Sequence, residues 1–204
     1  MATRKGSRRV TVYNEGLLVF LYDEASVGSL RAAAEALHDF RSLYEWKREP
    51  RLRRLADENR VVVYELDQDS GLDIEVLVGP PVQKRELADA RWHPPQATRL
   101  SLPSGTLFID SVNSFRPGVP WIEPGSDPAP EPGATIAVPP GEYVLTVHRL
   151  FTEQMRMEGI ATKSHPSQVV VLSPSGKARP AAPAPLFLPV PDMKPTLPRQ
   201  GGPR

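Results

Sequence analysis

The chain has 204 residues and no cysteine, which excludes disulfide bonds and thiolate metal sites. It contains 24 prolines, well above the usual share, and no apolar run that reaches the roughly 20 residues of a membrane span. The net charge of +1 conceals two basic ends around an acidic centre, so we expect no direct nucleic-acid binding. The N-terminus is basic but lacks the apolar stretch of a secretion signal, which predicts a cytoplasmic protein.

The uneven distribution of proline and charge predicts three regions. Residues 1–9 form a basic N-terminal arm, residues 10–172 a domain of ordinary composition, and residues 173–204 a proline-rich basic tail. Such a tail buries too little apolar surface to offset the entropy lost on ordering, so we expect it to be disordered or to adopt polyproline II. Residues 186–190 (Leu-Phe-Leu-Pro-Val) could serve as a docking motif, although an unpartnered stretch of tail is the simpler interpretation.

The first predicted strands lie in residues 10–23. This stretch is typical of one strand or a pair of strands, with Gly16 allowing a bulge or a tight bend. Residues 17–22 are continuously apolar, which predicts a central strand covered on both faces.

A helical insertion is predicted at about residues 29–59. Ser29 is a suitable N-cap for a helix over residues 29–46. Its apolar stripe at helical spacing consists of Leu30, Ala33, Ala34, Leu37, Phe40 and Tyr44. Pro50 ends or restarts this helix, so residues 51–59 could add a short second one. The run of basic residues from Arg41 to Arg60 is most simply a solvated face, with anion binding as the alternative.

Three pairs of apolar runs predict three β-hairpins, in residues 60–78, 98–112 and 134–150. Each pair flanks a connection rich in turn residues, such as Pro139-Pro140-Gly141 in the third. A last strand follows at residues 168–172. These elements predict a mainly β protein, an antiparallel β-sandwich with one helical insertion.

Alternation within the hairpins predicts which side chains face the core. Seven are expected to point inward: Leu100, Leu102, Leu107, Ile109, Tyr143, Leu145 and Val147. Phe108 is expected on the opposite face, as are Glu142, Thr146 and His148.

Two groups of polar residues could carry chemistry. Asp67, Asp69, Asp73 and Glu75 lie close together in the sequence, as calcium ligands do, but without the EF-hand spacing. Asp110 and His148 lie on neighbouring predicted hairpins and could meet, although no nucleophile accompanies them. No histidines are spaced as a metal-binding pair, and no catalytic constellation stands out, so we expect no enzymatic activity and no cofactor.

Three stretches resemble the competence protein J family, known for an inhibitor of the DNA-entry nuclease in bacterial competence. Residues 11–20 resemble the family's first strand, and residues 98–112 its central hairpin. Residues 136–150 are similar to its Leu-Pro-x-Gly-acid-Tyr-x-Leu-Thr hairpin, which corresponds here to Val138 through Thr146. The resemblance covers roughly residues 10–172. It implies a small antiparallel β-sandwich that works by binding a protein, and it supplies no catalytic motif.

The leading hypothesis is therefore a non-enzymatic inhibitor or immunity protein that occludes a nuclease or toxin. Acidic side chains could replace phosphates in a basic nuclease cleft. The candidate partner-binding residues are Glu65, Asp67, Asp69, Asp73, Glu75 and Glu142. The main alternative is a structural or adaptor subunit of a larger bacterial assembly that docks through its tails. A peripheral lipid- or calcium-binding sandwich comes third, and a hydrolase fourth.

Overall fold

The computed structural model describes residues 7–12, 18–39, 42–65, 72–79, 95–115, 133–149, 168–175 and 187–188. The strands, in chain order, are β1 (Ser7–Val12), β2 (Leu18–Asp23), β3 (Val61–Glu65), β4 (Leu72–Val78), β5 (Gln96–Leu102), β6 (Thr106–Ser111), β7 (Gly133–Ala137), β8 (Gly141–Arg149), β9 (Gln168–Pro174) and β10 (Phe187–Leu188). The helices are α1 (Val27–Glu35), α2 (Leu43–Arg48) and α3 (Pro50–Asp57), with 3₁₀ turns at Glu24–Ser26 and Val112–Phe115.

The strands form two five-stranded sheets that pack face to face. Sheet A has the order β1-β4-β9-β8-β5, and sheet B has the order β10-β3-β2-β6-β7. The pairs β4–β9 and β10–β3 are parallel, and the other neighbours are antiparallel. The predicted mainly β sandwich with one helical insertion is confirmed.

The prediction that these strands pair as three hairpins is wrong. β3 and β4 lie in different sheets, and the same is true of β5 and β6 and of β7 and β8. Each of these connections carries the chain across the sandwich, and each strand finds its hydrogen-bonded neighbours elsewhere in the sequence. Two of the crossings support each other, because the Val138 amide donates to the Gly105 carbonyl oxygen at 2.8 Å. Gly105 has a φ of 75°, and a side chain there would also crowd the Val138 carbonyl.

The predicted faces of the strands are confirmed. The inward-facing residues of both sheets form one apolar core, which includes Leu100, Leu107, Ile109, Tyr143 and Leu145. β2 is buried along its whole length, as its continuous apolar sequence predicts. Its alternate residues contribute either to this core or to a second one beneath the helices, where Phe108 also lies.

The helical layer covers the outer face of sheet B, but its boundaries differ from the prediction. Ser29 lies inside α1 and is not an N-cap, because the helical stretch begins at Glu24, where the Asp23 side chain accepts from the Ala25 amide at 2.9 Å. The single predicted helix is divided between α1 and α2. Pro50 restarts the helix as expected, because it occupies the first turn of α3, where a missing amide hydrogen is tolerated.

The two ends of the chain contribute strands to the sheets. β1 includes Ser7, Arg8 and Arg9 and forms an edge of sheet A. β10 comes from the proline-rich tail and pairs with β3, so Phe187 and Leu188 are ordered against sheet B. The rest of the tail beyond Ser175 lies outside the described residues. Within those ranges, none of the helices has both the length and the apolar character needed to cross a membrane.

Candidate protein-binding surface

Of the six predicted acidic residues, Glu65, Glu75 and Glu142 have described side chains, and these three lie in different surroundings. The Glu65 side chain is about one-fifth exposed and lies 3.7 Å from Lys47 Nζ at the end of β3. Glu75 is half-buried on the outer face of sheet A. Asp73 lies in β4 opposite Thr11, whereas Asp67 and Asp69, and with them the proposed calcium cluster, fall outside the described residues.

Glu142 is exposed on the outer face of sheet A. Ser101 Oγ donates to its Oε1 at 2.5 Å, and the Ser175 amide donates to its backbone oxygen at 2.7 Å. Glu75 lies opposite Val169 of β9, and Glu142 lies beside Ser175, which follows Val169 by six residues in extended chain. At the rise of a β-strand, Glu75 and Glu142 are therefore roughly 20 Å apart. Each of these acids therefore has a separate environment.

The predicted meeting of Asp110 and His148 is wrong. Asp110 lies on the face of sheet B that the helices cover, where Tyr22 Oη and Ser114 Oγ donate to its carboxylate. His148 is on β8 and alternates with the inward-facing Val147 and Arg149, so it points to the outer face of sheet A. Two packed sheets separate the two side chains.

Asp110 is a buried carboxyl group in an apolar layer. Burial raises its pKa to about 6, although the hydrogen bonds from Tyr22 and Ser114 act in the opposite direction. Gly133 lies directly opposite on β7, and a Cβ atom there would be 1.7 Å from Asp110 Oδ1. The close packing and the hydrogen bonds indicate a structural role, which tethers β6 to β2 and to the turn that follows it.

Asp110→Asn is expected to remove a pH dependence of stability. The native pKa of about 6 exceeds the ordinary value of 3.8, so the native state holds the proton more tightly than the unfolded chain does. The wild-type free energy of unfolding should therefore fall, relative to the variant, by about 3 kcal/mol as the pH rises from about 4 to about 7. Urea unfolding of both proteins across this range measures the difference. A difference that does not change with pH would contradict the prediction.

The helical layer presents an exposed surface, here named the arginine–tyrosine patch, which consists of Tyr44, Arg48 and Arg53. Tyr44 is 59% exposed, the one large apolar side chain in the described ranges that is so open to solvent. The Arg48 guanidinium stacks 3.7 Å above its ring centre. Arg53 Nε donates to the Lys47 carbonyl oxygen at 2.9 Å, next to Arg48 at the end of α2. Arg53 is therefore held at the C-terminal end of the helix that carries Tyr44 and Arg48.

The sequence of α2 and α3 explains this geometry. Tyr44 and Arg48 are four residues apart on one helix, which places their side chains on the same face. In α3, Leu52 and Leu55 point to the core, so Arg53 points outward. The last carbonyl groups of α2 have no partner within the helix, and the Arg53 guanidinium provides one.

A buried aromatic cluster holds the patch from beneath. Trp46 is fully buried, and its ring lies 5.0 Å from that of Phe20 and 5.9 Å from that of Phe115, both in edge-to-face arrangements. Such contacts favour a fixed orientation of the rings. The face of α2 opposite Tyr44 and Arg48 is therefore anchored to β2, in the middle of sheet B.

The charges near the patch are only partly neutralised. Arg51 pairs with Glu49 at 3.5 Å, and Arg54 pairs with Glu58 at 3.1 Å. Arg48 and Arg53 have no carboxylate within 4 Å in the described part of the chain. Their guanidinium groups can therefore bind carboxylates of another molecule.

The sequence prediction missed this patch because it assigned Tyr44 to the apolar stripe of one long helix. The signal that could have revealed it is the spacing of Tyr44 and Arg48. No set of three histidine or acidic side chains in the described ranges lies close enough to hold a metal ion.

Neither a family model nor a curated protein matches this sequence. Among solved structures, the fold is similar to "Crocagin biosynthetic gene J", with a TM-score of 0.54, 15% identity, and coverage of 84% of this chain and 97% of that one. Another match is ComJ, inhibitor of the DNA-degrading activity of NucA, from Bacillus subtilis. Its TM-score is 0.46 with 7% identity, over 82% of this chain and 96% of that chain. The match to the first of these structures, at 15% identity, shows a similarity of fold alone.

Proposed function

We propose that this protein is a non-enzymatic binding protein of the inhibitor or immunity type, which occludes another protein through the arginine–tyrosine patch. The observation that carries the proposal is the exposed stack of Arg48 on Tyr44, anchored over the buried Trp46. Tyrosine and arginine are enriched among the residues that dominate interface energies. A tyrosine held by a rigid base loses little conformational entropy when a partner binds.

The chemistry of the patch specifies the partner surface. Arg48 and Arg53 require carboxylates, and the Tyr44 ring requires an apolar pocket beside them. Such an interface would weaken with increasing salt, because its charges lie at a solvent-exposed surface. The resemblance of the sequence to competence protein J supports a nuclease or toxin as the partner, and the proposal places the encounter in the cytoplasm.

The acidic candidates suggest a second contact in the same complex. Glu142 is exposed on sheet A, on the opposite side of the sandwich from the patch, and could bind a basic surface of a partner. Glu142→Gln tests this contact separately. Unchanged affinity and unchanged salt dependence would overturn it while leaving the patch unaffected.

Tyr44→Ala and Arg48→Glu are each expected to weaken partner binding about 10- to 100-fold, because they remove the central ring or reverse the charge beside it. Arg54→Glu is the matched control on the same layer, since Arg54 already pairs with Glu58 and is 83% exposed. It should change the affinity by about threefold or less. The measurement is the dissociation constant of the purified pair, after co-purification from the host at low and moderate salt identifies the partner.

Inhibition of the partner's activity by the wild-type protein, lost in step with affinity in Tyr44→Ala and Arg48→Glu, would support an occluding role. Binding that leaves this activity intact would favour the adaptor hypothesis. Deleting residues 1–6 and 191–204 tests docking through the tails without cutting into β1 or β10. Affinity that is unchanged in both patch variants would overturn the proposal.

A further inference from the structure

β7 is an edge strand of sheet B, and in the described part of the chain its outer side has no strand neighbour. The Val138 amide donates to the Gly105 carbonyl oxygen, which continues the register of β6 and β7, so Ile136, two residues earlier, also bonds to β6. The amide and carbonyl groups of Thr135 and Ala137 therefore point away from β6. Both residues are exposed, and these outward groups have no hydrogen-bond partner in the described ranges.

The two edges of sheet A carry features that discourage the addition of another strand. In β1, Arg8 lies on the same face as Val10, which packs against the core, so an exposed charge stands on the inner face of this edge strand. In β5, the Ser101 amide already donates to the Asn59 carbonyl oxygen at 2.6 Å. Inward-facing charges and covered backbone groups are common protection for an edge strand. Both edges of sheet A therefore have protection.

β7 lacks such protection along its exposed stretch. The strand contains no charged residue and no proline, and its register with β6 is continuous, so no bulge distorts it. Thr135 and Ala137 have short side chains, whereas Ile136 between them is buried in the core. Gly133 is buried and Pro139 has no amide hydrogen, so these residues limit the open stretch on either side. A second strand can therefore approach the backbone of β7 closely over residues 135–137.

This open stretch is self-complementary. When two copies of β7 lie antiparallel about a two-fold axis at Ile136, Thr135 of each copy lies opposite Ala137 of the other. Each such pair exchanges both of its hydrogen bonds, so the outward amide and carbonyl groups of both residues are satisfied. A small hydroxyl side chain then lies opposite a methyl group, and no like charges meet across the axis. The strand is therefore a well-matched partner for its own copy.

We propose that β7 is a dimerisation edge, at which a second copy of this chain adds its own β7 antiparallel and joins the two copies of sheet B into one continuous sheet. The mode of recognition is pairing between strand edges, in which main-chain hydrogen bonds provide the affinity. The contact is small, so the dimer should be reversible and should depend on protein concentration. The arginine–tyrosine patch lies on the helical layer instead, and neither proposal depends on the other.

Sedimentation equilibrium of the full-length chain between about 1 µM and about 1 mM tests the proposal, and we expect a monomer–dimer equilibrium for the wild type. Thr135→Lys/Ala137→Lys should weaken the dimer at least about tenfold, because the new lysines lie opposite each other across the axis. Thr135→Lys/Ala137→Glu places opposite charges in both pairs and should dimerise at least as tightly as the wild type. Ala97→Lys is the control at an exposed position of the edge strand β5, and it should leave dimerisation unchanged.

A mixing experiment tests the register of the pair. Thr135→Glu/Ala137→Glu should be as poor a dimer as the double-lysine variant, whereas an equimolar mixture of the two should form a heterodimer. Hydrogen exchange locates the contact, because the Thr135 and Ala137 amides of the wild type should exchange more slowly as the protein concentration rises.

A wild type that stays monomeric at about 1 mM would overturn the proposal. A dimer that the double-lysine variant retains would overturn it as well, because the contact would then lie elsewhere. The lysine–glutamate variant carries substitutions at the same positions, so a loss of dimer caused by misfolding would affect both variants. If it dimerised no better than the double-lysine variant, the antiparallel pairing of β7 would be wrong.

Discussion

Leu145→Ala should lower the free energy of unfolding by about 2–5 kcal/mol. Leu145 is fully buried on β8, in the middle of the core between the two sheets. Its truncation removes apolar contacts and leaves a cavity, because strands on both sides hold β8 in place. Tyr143→Ala should have a cost of the same order, since Tyr143 is 3% exposed and its hydroxyl donates to the Pro139 carbonyl oxygen.

Thr146→Ala is the matched control for this prediction. Thr146 neighbours Leu145 on the same strand but points to the outer face, where it is half-buried. Its replacement should change stability by about 0.5 kcal/mol or less. Urea unfolding of the three variants measures the comparison. A Leu145→Ala protein as stable as Thr146→Ala would show that the faces of β8 are the reverse of those described.

Trp46→Ala should lower the free energy of unfolding by about 3–5 kcal/mol. Trp46 is fully buried and contacts the rings of Phe20 and Phe115 between α2 and sheet B. It lies two residues from Tyr44, so the same short helix carries both a core anchor and an exposed ring. Tyr44→Ala should change stability by about 0.5 kcal/mol or less, because Tyr44 is mostly exposed.

This pair of variants separates folding from binding. Trp46→Ala should weaken partner binding indirectly, because it removes the contacts that hold α2 in place. Lowering the temperature should partly restore the binding. Tyr44→Ala should weaken binding while the thermal midpoint stays close to that of the wild type. If Tyr44→Ala destabilised the protein as much as Trp46→Ala, Tyr44 would belong to the core and the patch would not exist.

The proposed surfaces occupy different parts of one scaffold. The arginine–tyrosine patch lies on the helical layer outside sheet B, and Glu142 lies on the outer face of sheet A. Because each can be altered by one substitution at an exposed or peripheral position, their contributions can be measured independently.

The alternation of residues determined which side chains of each strand are buried. Leu145 and Val147 face the core because period-two alternation forces neighbouring residues to opposite faces, whatever the strand pairs with. The continuous apolar run in β2 likewise required cover on both faces, which the second sheet and the helices provide. The sequence also predicted that a new helix begins at Pro50, since proline is tolerated in the first turn of a helix.

The partners of the strands were decided only by the tertiary structure. A turn of proline and glycine reverses the chain in the same way whether the next strand pairs with the previous one or crosses to the opposite sheet. The three connections read as hairpins all cross, because the choice depends on long-range hydrogen bonding that no local pattern encodes.

The candidate surface has the same dependence on tertiary structure. The break between α1 and α2 resets the helical phase, so Tyr44 faces solvent while Trp46 faces sheet B. The spacing of Tyr44 and Arg48 was present in the sequence from the start. The sequence did not reveal that these side chains are exposed. Their exposure depends on which face of the six-residue helix packs against the aromatic residues of sheet B and of the turn after β6.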